Sequence, residues 1–223
     1  MDIKHISFIA DGNRRWAKRN LLPRGIGHKK GFEKMIQVAD YCADLKIPLV
    51  SFFAFSTENW NRDKDEIDEI FRLIQNNIDE KQIKHFVKRG YKVVFWGDMT
   101  KFPAEFQTAA KDCAERTKDL TNMTLALCVN YGGRADIVNA INKMPKDALV
   151  TEATFSKHLY GAEYPEPDIV VRTSGEHRIS NFMLWQMAYS ELFFIDTLWP
   201  DMTNEVVDDI IAQFNKRDRR KGK

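Results

Sequence analysis

Pro48-Leu49-Val50-Ser51-Phe52-Phe53-Ala54-Phe55 carries a single polar side chain and stops abruptly at Ser56-Thr57-Glu58-Asn59-Trp60-Asn61-Arg62. A run this short, this apolar and without alternation is what a strand buried on both faces requires. Upstream of it, Phe32, Met35, Ile36, Ala39 and Ala43 recur at helical spacing. Downstream, Ile67, Ile70, Phe71, Ile74 and Ile78 do the same, in a helix whose furthest reach is Lys88. Helix, buried strand, helix is the local pattern of a parallel sheet with helices on its faces.

The pattern continues in both directions. Apolar runs at 3–10, 91–97, 123–130, 168–172 and 191–195 give further strands. Phe106, Ala109, Ala110 and Cys113 mark another helix, and Val206, Val207, Ile210, Ile211 and Phe214 a last one. No repeat or Pro/Gly/Ser-rich linker divides the 223 residues, so the expectation is one α/β domain over 1–223 with a mainly parallel six-stranded sheet. Hydrophobic residues at 43% and charged residues at 30% suit a soluble globular chain. A net charge of +2 provides no global field for nucleic acid, so any anion must be held by local arginines. Cys42, Cys113 and Cys128 sit in apolar patterns without metal-ligand spacing and read as small buried residues of a reducing compartment. The N-terminus has no apolar signal core, and no apolar stretch approaches the roughly 18 residues that span a bilayer. The expected location is cytoplasmic.

In parallel α/β folds, ligands gather beyond the carboxyl ends of the strands, and four polar clusters fall there. Asp11-Gly12-Asn13-Arg14-Arg15-Trp16 joins a carboxylate to two arginines, a set suited to magnesium and phosphate together or to a capped solvated turn. Arg24-Gly25-Ile26-Gly27-His28 precedes a helix expected to start near Lys29, and reads as an anion site or as a cap. Ser56, Thr57 and Glu58 can cap the next helix, which leaves Trp60 and Arg62 without a structural account. Arg172 to Phe182 (RTSGEHRISNF) holds Arg172, Arg178 and Ser180, donors suited to phosphate oxygens, with Glu176 as the alternative ion-pair partner. Arg15, Arg24, Arg62, Arg172 and Arg178 exceed what one monophosphate needs and suit two diphosphates. Neither a G-x-x-x-x-G-K-[ST] loop nor a DDxxD element is present, so P-loop hydrolysis and trans-type chain elongation are not expected.

These clusters resemble the signature blocks of the cis-prenyltransferase family, the undecaprenyl diphosphate synthase type. The matching blocks are 11–18 (DGNRRWAK), 24–28 with Gly31, 54–62 (AFSTENWNR), 130–134 (NYGGR), 172–182 (RTSGEHRISNF), Glu191-Leu192 with 198–201 (LWPD), and Arg220-Lys221-Gly222. They occur in family order over nearly the whole chain. The resemblance implies a Mg2+-dependent prenyltransferase, a homodimer and an apolar tunnel for the growing chain. It implies that Asp11 binds magnesium, completed by Glu191 from the same or a partner chain. Gly12, Asn13, Arg14, Arg15, Trp16, Arg24 and His28 would hold an allylic diphosphate, with farnesyl diphosphate the expected primer.

By the same resemblance, Arg172, Arg178, Ile179 and Ser180 would bind isopentenyl diphosphate. Asn59 would assist proton removal, with Ser56, Thr57, Glu58, Trp60 and Arg62 shaping its pocket. Undecaprenyl diphosphate for cell-wall carrier lipid is the default product, which would bring the protein transiently to the inner face of the membrane. The stripe from Ile67 to Ile78, with Leu125 near the floor, could line the tunnel or belong to the core. Ala10 stands where the family commonly has Met, and Arg14 and Ser174 where glycine is frequent. The rival reading, a non-catalytic subunit of a heteromeric prenyltransferase, predicts loss of the Asp and several arginines, which this chain keeps.

Overall fold

A computed structural model describes residues 2–76 and 78–217, so the Arg220-Lys221-Gly222 block lies outside the described residues. The chain runs β1 (His5–Ile9), α1 (Asn13–Arg19), α2 (Arg24–Asp44), β2 (Leu49–Ser56), a 3-10 turn (Thr57–Asn61), α3 (Lys64–Asn76), α4 (Glu80–Arg89) and β3 (Tyr91–Trp96). It continues through α5 (Ala104–Thr117), β4 (Met123–Tyr131), α6 (Gly133–Lys143), α7 (Glu152–Ser156), β5 (Ile169–Arg172), β6 (Glu191–Phe194) and α8 (Asn204–Lys216). The six strands form one sheet in the order β3-β4-β2-β1-β5-β6, with every pairing parallel. All six carboxyl ends therefore share one edge, and the adjacent β2, β1 and β5 bring three of the four polar clusters together there.

Both faces of the sheet are covered, which is why its strands read as apolar runs. On one face Phe8, Phe52, Leu125 and Leu127 pack with Met35, Ile70, Phe86, Phe106 and Ile210 of the surrounding helices. On the other, Leu49, Ala126, Cys128 and Val170 meet Phe182, Met183 and Met187. Two polar positions interrupt the apolar run of β1, and they satisfy each other: His5 Nε2 lies 2.8 Å from Ser51 Oγ and 3.0 Å from Ser7 Oγ, while Nδ1 lies 2.9 Å from the Pro165 carbonyl. All three cysteines are free and buried, as their apolar setting predicts.

Three helical boundaries differ from expectation. The helix expected from Lys29 starts at Arg24, directly after Pro23, and runs through Gly25 and Gly27. Those glycines looked like a loop, but Gly27 permits the close approach of α1: a Cβ there would sit 2.2 Å from the Asn13 carbonyl oxygen. The Ile67–Ile78 stripe does not continue to Lys88 as one helix, because Asp79 accepts from the Gln82 amide at 2.8 Å and caps α4. Residues 13–19, read as part of a polar turn, form α1. No helix among the described residues is long and apolar enough to cross a membrane.

Candidate active site

A cleft of about 830 Å³ opens at the carboxyl ends of β1, β2 and β5. Its lining includes the polar Asp11, Arg14, Arg15, Arg62, Arg172 and Arg178 and the apolar Met35, Phe52, Ile70 and Trp199. A lining that combines charged groups with hydrocarbon suits an amphipathic ligand. Of the apolar stripe on α3, Ile70 reaches the cleft, whereas Ile67, Phe71 and Ile74 are buried in the core, as are Ile78 beyond the helix and Leu125 on β4.

Asp11 follows β1, and Arg172 closes β5 opposite Ile9. The buried Arg172 donates from Nη2 to Asp11 Oδ2 at 2.9 Å and from Nη1 to Ser180 Oγ and the Arg178 carbonyl, each at 2.6 Å. The other Asp11 oxygen accepts from the Gly12 amide at 2.7 Å, and Thr173 Oγ1 accepts from the Asp11 amide at 2.9 Å. Gly12, at φ 109, turns the chain where a Cβ would lie 3.0 Å from both Ser174 Cβ and Leu198 Cδ2. Arg15 donates to the Ser174 carbonyl at 2.8 Å and to its hydroxyl, and stands 3.3 Å from Glu176. Arg178 pairs with Glu176 as the sequence alternative allowed, but still lines the cleft.

Ser174, Ser180, Asn181 and Met183 adopt positive φ of 79°, 46°, 63° and 40°. Such conformations cost on the order of 1–3 kcal/mol each and persist where the surroundings over-determine them, most often at functional sites. Three buried polar atoms around the cleft have no hydrogen-bond partner among the described residues: Asn13 Oδ1, His28 Nε2 and Arg172 Nε. Desolvation by burial pushes His28 down to about 4, with Arg62 adding to the shift and Glu66 opposing it, so the ring is neutral at pH 7.

Ser56 and Asn59 form a reciprocal capping box at the end of β2, in which the Ser56 amide donates to Asn59 Oδ1 at 3.0 Å. Both side chains line the cleft. Glu58 accepts from Asn181 Nδ2 at 2.8 Å; burial raises its carboxyl, and hydrogen bonds from Asn181, Thr57, Ser56 and its own backbone outweigh that and lower it.

The structure therefore gathers Asp11, Gly12, Asn13, Arg14, Arg15, His28, Ser56, Glu58, Asn59, Arg62, Arg172, Arg178 and Ser180 around one cleft. The remaining candidates sit outside its lining. The Trp16 indole donates to Asp201 at 2.7 Å, and Trp60 donates to Asn130 at 2.7 Å within a cluster of Phe55, Phe71 and Phe102. Thr57 packs against Gly132, Ile179 against the second core, and Arg24 faces Glu66 and Glu69. Glu191 begins β6, at the opposite end of the sheet from Asp11, and pairs with Arg217. One chain does not bring these two carboxylates together, and no group of three His, Cys, Asp or Glu residues forms a metal cluster among the described residues.

Sequence reasoning missed Glu66. It is 2% exposed, accepts from Arg62 at 2.9 Å, and lies 3.6 Å from Arg24, 3.7 Å from His28 and 3.9 Å from Arg14. Its spacing of four from Arg62 was the available signal, hidden because an acid in the first turn of a helix ordinarily reads as dipole compensation. Asn130 and Asn181, which brace Trp60 and Glu58, were likewise unassigned.

A family model described as putative undecaprenyl diphosphate synthase matches residues 9–222. An isoprenyl transferase of Neisseria meningitidis serogroup B is 41% identical over 222 residues, covering 99% of this chain and 89% of the relative. Lavandulyl diphosphate synthase from Lavandula x intermedia, solved in complex with dimethylallyl diphosphate, superposes with a TM-score of 0.94 at 30% identity, covering 100% and 99% of the two chains. A probable undecaprenyl diphosphate synthase from Campylobacter jejuni gives 0.85 at 31% identity, covering 100% of both.

Proposed function

This chain belongs to the prenyltransferase family described as putative undecaprenyl diphosphate synthase, and from that premise we propose that it condenses isopentenyl diphosphate with an allylic diphosphate. Farnesyl diphosphate is the proposed primer and a long cis-polyprenyl diphosphate, by default undecaprenyl diphosphate, the product. The observation that carries this reading is the pairing of Asp11 with Arg172 at adjacent strand ends, in a cleft that Met35, Phe52 and Ile70 also line. The lavandulyl enzyme, bound to an allylic diphosphate, lends support through its closely similar fold.

Magnesium fits the donor chemistry, because a hard cation that keeps several waters and shares substrate phosphates needs few protein oxygens. Asp11, which lines this cleft together with Glu58 and Glu176, is the carboxylate assigned to magnesium, and the unpartnered Asn13 Oδ1 lies in the same lining. Bound there, magnesium supplies Lewis-acid stabilisation of the departing diphosphate. Glu191 joins that set only from a second copy, in the homodimer the reading calls for.

The chain's own residues do the rest. Arg15, His28 and the Gly12 turn hold the allylic diphosphate, while Arg172, Arg178 and Ser180 hold isopentenyl diphosphate. Fixed guanidinium donors stabilise the charge that develops as the allylic C–O bond breaks. The isopentenyl double bond then attacks the allylic carbon, and a proton leaves to set the cis double bond. Because Asn59 Oδ1 already accepts from Ser56, its role is to donate from Nδ2 and orient the water or diphosphate oxygen that takes the proton. The hydrocarbon chain extends along Met35, Phe52 and Ile70.

Farnesyl diphosphate, radiolabelled isopentenyl diphosphate and magnesium are incubated with the purified protein, and the extracted products are separated by chain length. The expected result is a magnesium-dependent ladder of long products that Asp11→Ala reduces by at least about 10³-fold. No incorporation with any allylic primer would overturn the proposal and favour a non-catalytic subunit.

A further inference from the structure

The end of α1 carries an apolar knuckle that folding does not require. Leu22 donates its amide to the Ala17 carbonyl at 2.9 Å, and Leu21 donates to the Lys18 carbonyl at 3.2 Å. These two bonds define a Schellman turn, in which the first residue beyond the cap is left-handed and is ordinarily glycine. Here that residue is Leu21, at φ 56. Its side chain is 94% exposed, and Leu22 and Ile26 beside it in the chain are 41% and 39% exposed. A large apolar side chain in a strained backbone, with almost none of its surface covered, contributes nothing to the packing of the monomer.

The charge around the knuckle points to what covers it. Between Gly12 and Phe32 the sequence places Arg14, Arg15, Lys18, Arg19, Arg24, Lys29 and Lys30, and not one Asp or Glu. Arg14, Arg15, Arg19, Arg24 and Lys30 have acidic partners from elsewhere in the chain. Lys18 and Lys29 have no ion pair among the described residues and are exposed, on either side of the leucines in sequence. Exposed leucines bracketed by free ammonium groups match the boundary of an anionic bilayer, where hydrocarbon enters the acyl region and lysine remains at the headgroups. The position matters as well: α1 begins at the cleft with Asn13 and ends at the knuckle, a helix of seven residues and so about 10 Å long.

We propose that the α1–α2 turn, through Leu21 and Leu22 framed by Lys18 and Lys29, docks the protein reversibly on an anionic lipid surface beside its active cleft. The contact belongs to the protein itself and does not depend on a bound prenyl chain.

The test is co-sedimentation with vesicles of phosphatidylglycerol and phosphatidylcholine against vesicles of phosphatidylcholine alone, with no prenyl diphosphate present, so that it stands apart from the transferase reading. Wild-type protein should bind the anionic vesicles preferentially, and added salt should weaken that binding. Leu21→Ser/Leu22→Ser should bind at least about tenfold more weakly, whereas Leu45→Ser, an exposed leucine at the far end of α2, should bind as wild type. The double variant should match wild-type turnover on a water-soluble short-chain product, which shows that it is folded. Equal binding to both vesicle types overturns the proposal, as does a Leu21→Ser/Leu22→Ser protein that binds as wild type. A double variant whose mass in solution falls relative to wild type, with vesicle binding unchanged, assigns the leucines to a contact between copies and overturns it too.

Discussion

Glu66 shows how one side chain organises a site it does not line. An isolated buried carboxylate costs several kcal/mol, and this one persists because three guanidinium groups surround it. The same attraction draws Arg14, Arg24 and Arg62 to one side of the cleft, where without Glu66 their mutual repulsion would spread them. Glu66→Gln keeps the volume and removes the charge. We expect it to lower stability by about 1–3 kcal/mol and to lower kcat/KM by about 10–100-fold, mainly through a higher KM for the diphosphate substrates. A merely structural glutamate predicts a different split, with unchanged KM in the fraction that remains folded. Steady-state kinetics on the folded variant therefore decide between the two.

At the scale of elements, the α1–α2 pair fixes the cleft, and its glycines reverse a simple rule. Propensity alone says that Gly→Ala inside a helix stabilises by up to about 1 kcal/mol. At Gly27 the added Cβ would meet the Asn13 backbone oxygen at 2.2 Å, and that atom cannot move without shifting α1. Overpacking of this kind costs about 1–3 kcal/mol, so the clash wins. Gly27→Ala should be less stable in urea and less active, since Asn13 and Arg15 move with α1. At Gly25 the nearest atoms belong to the Glu69 carboxylate, the far end of a flexible and partly exposed side chain, so Gly25→Ala should fall within about 1 kcal/mol of wild type. Equal loss in both variants would refute the role given to the Asn13 contact.

The same pair marks where sequence reading reached its limit. The buried strands were legible because a sheet covered on both faces forces each run to be apolar, and the motifs at their ends followed from parallel topology. Gly27 misled because its use lies in contact with Asn13, over ten positions away, which no local rule encodes. Trp16 and Trp60 belonged to the right blocks, yet their indoles anchor Asp201 and Asn130 outside the cleft lining, a choice of direction that sequence does not carry. Helices α6 and α7 passed unnoticed because each buries few apolar residues, so neither leaves a stripe to find.

For the whole molecule, two buried histidines tie stability to pH. Burial lowers His5 to about 4, against opposing contributions from the Pro165 carbonyl and Asp168, and His28 to about 4 as well. An unfolded chain returns both to about 6.5, so below that value the unfolded state takes up protons the native state refuses. Stability is therefore fully present above pH 6.5, falls as pH drops from 6.5 toward 4, and stops falling from this cause once both states are protonated. Each shift corresponds to at most on the order of 3 kcal/mol, a large part of a typical folding free energy. The loss begins above the range where carboxylates titrate, which separates it from ordinary acid denaturation. Urea unfolding measured from pH 7.5 to about 4.5 should show a midpoint that is level at first and then declines below about 6.5. His5 and His28 ring resonances should hold their neutral shifts through that decline. A level midpoint down to about pH 5, or either ring titrating near 6.5, would show that the sheet and the cleft do not hold these rings neutral.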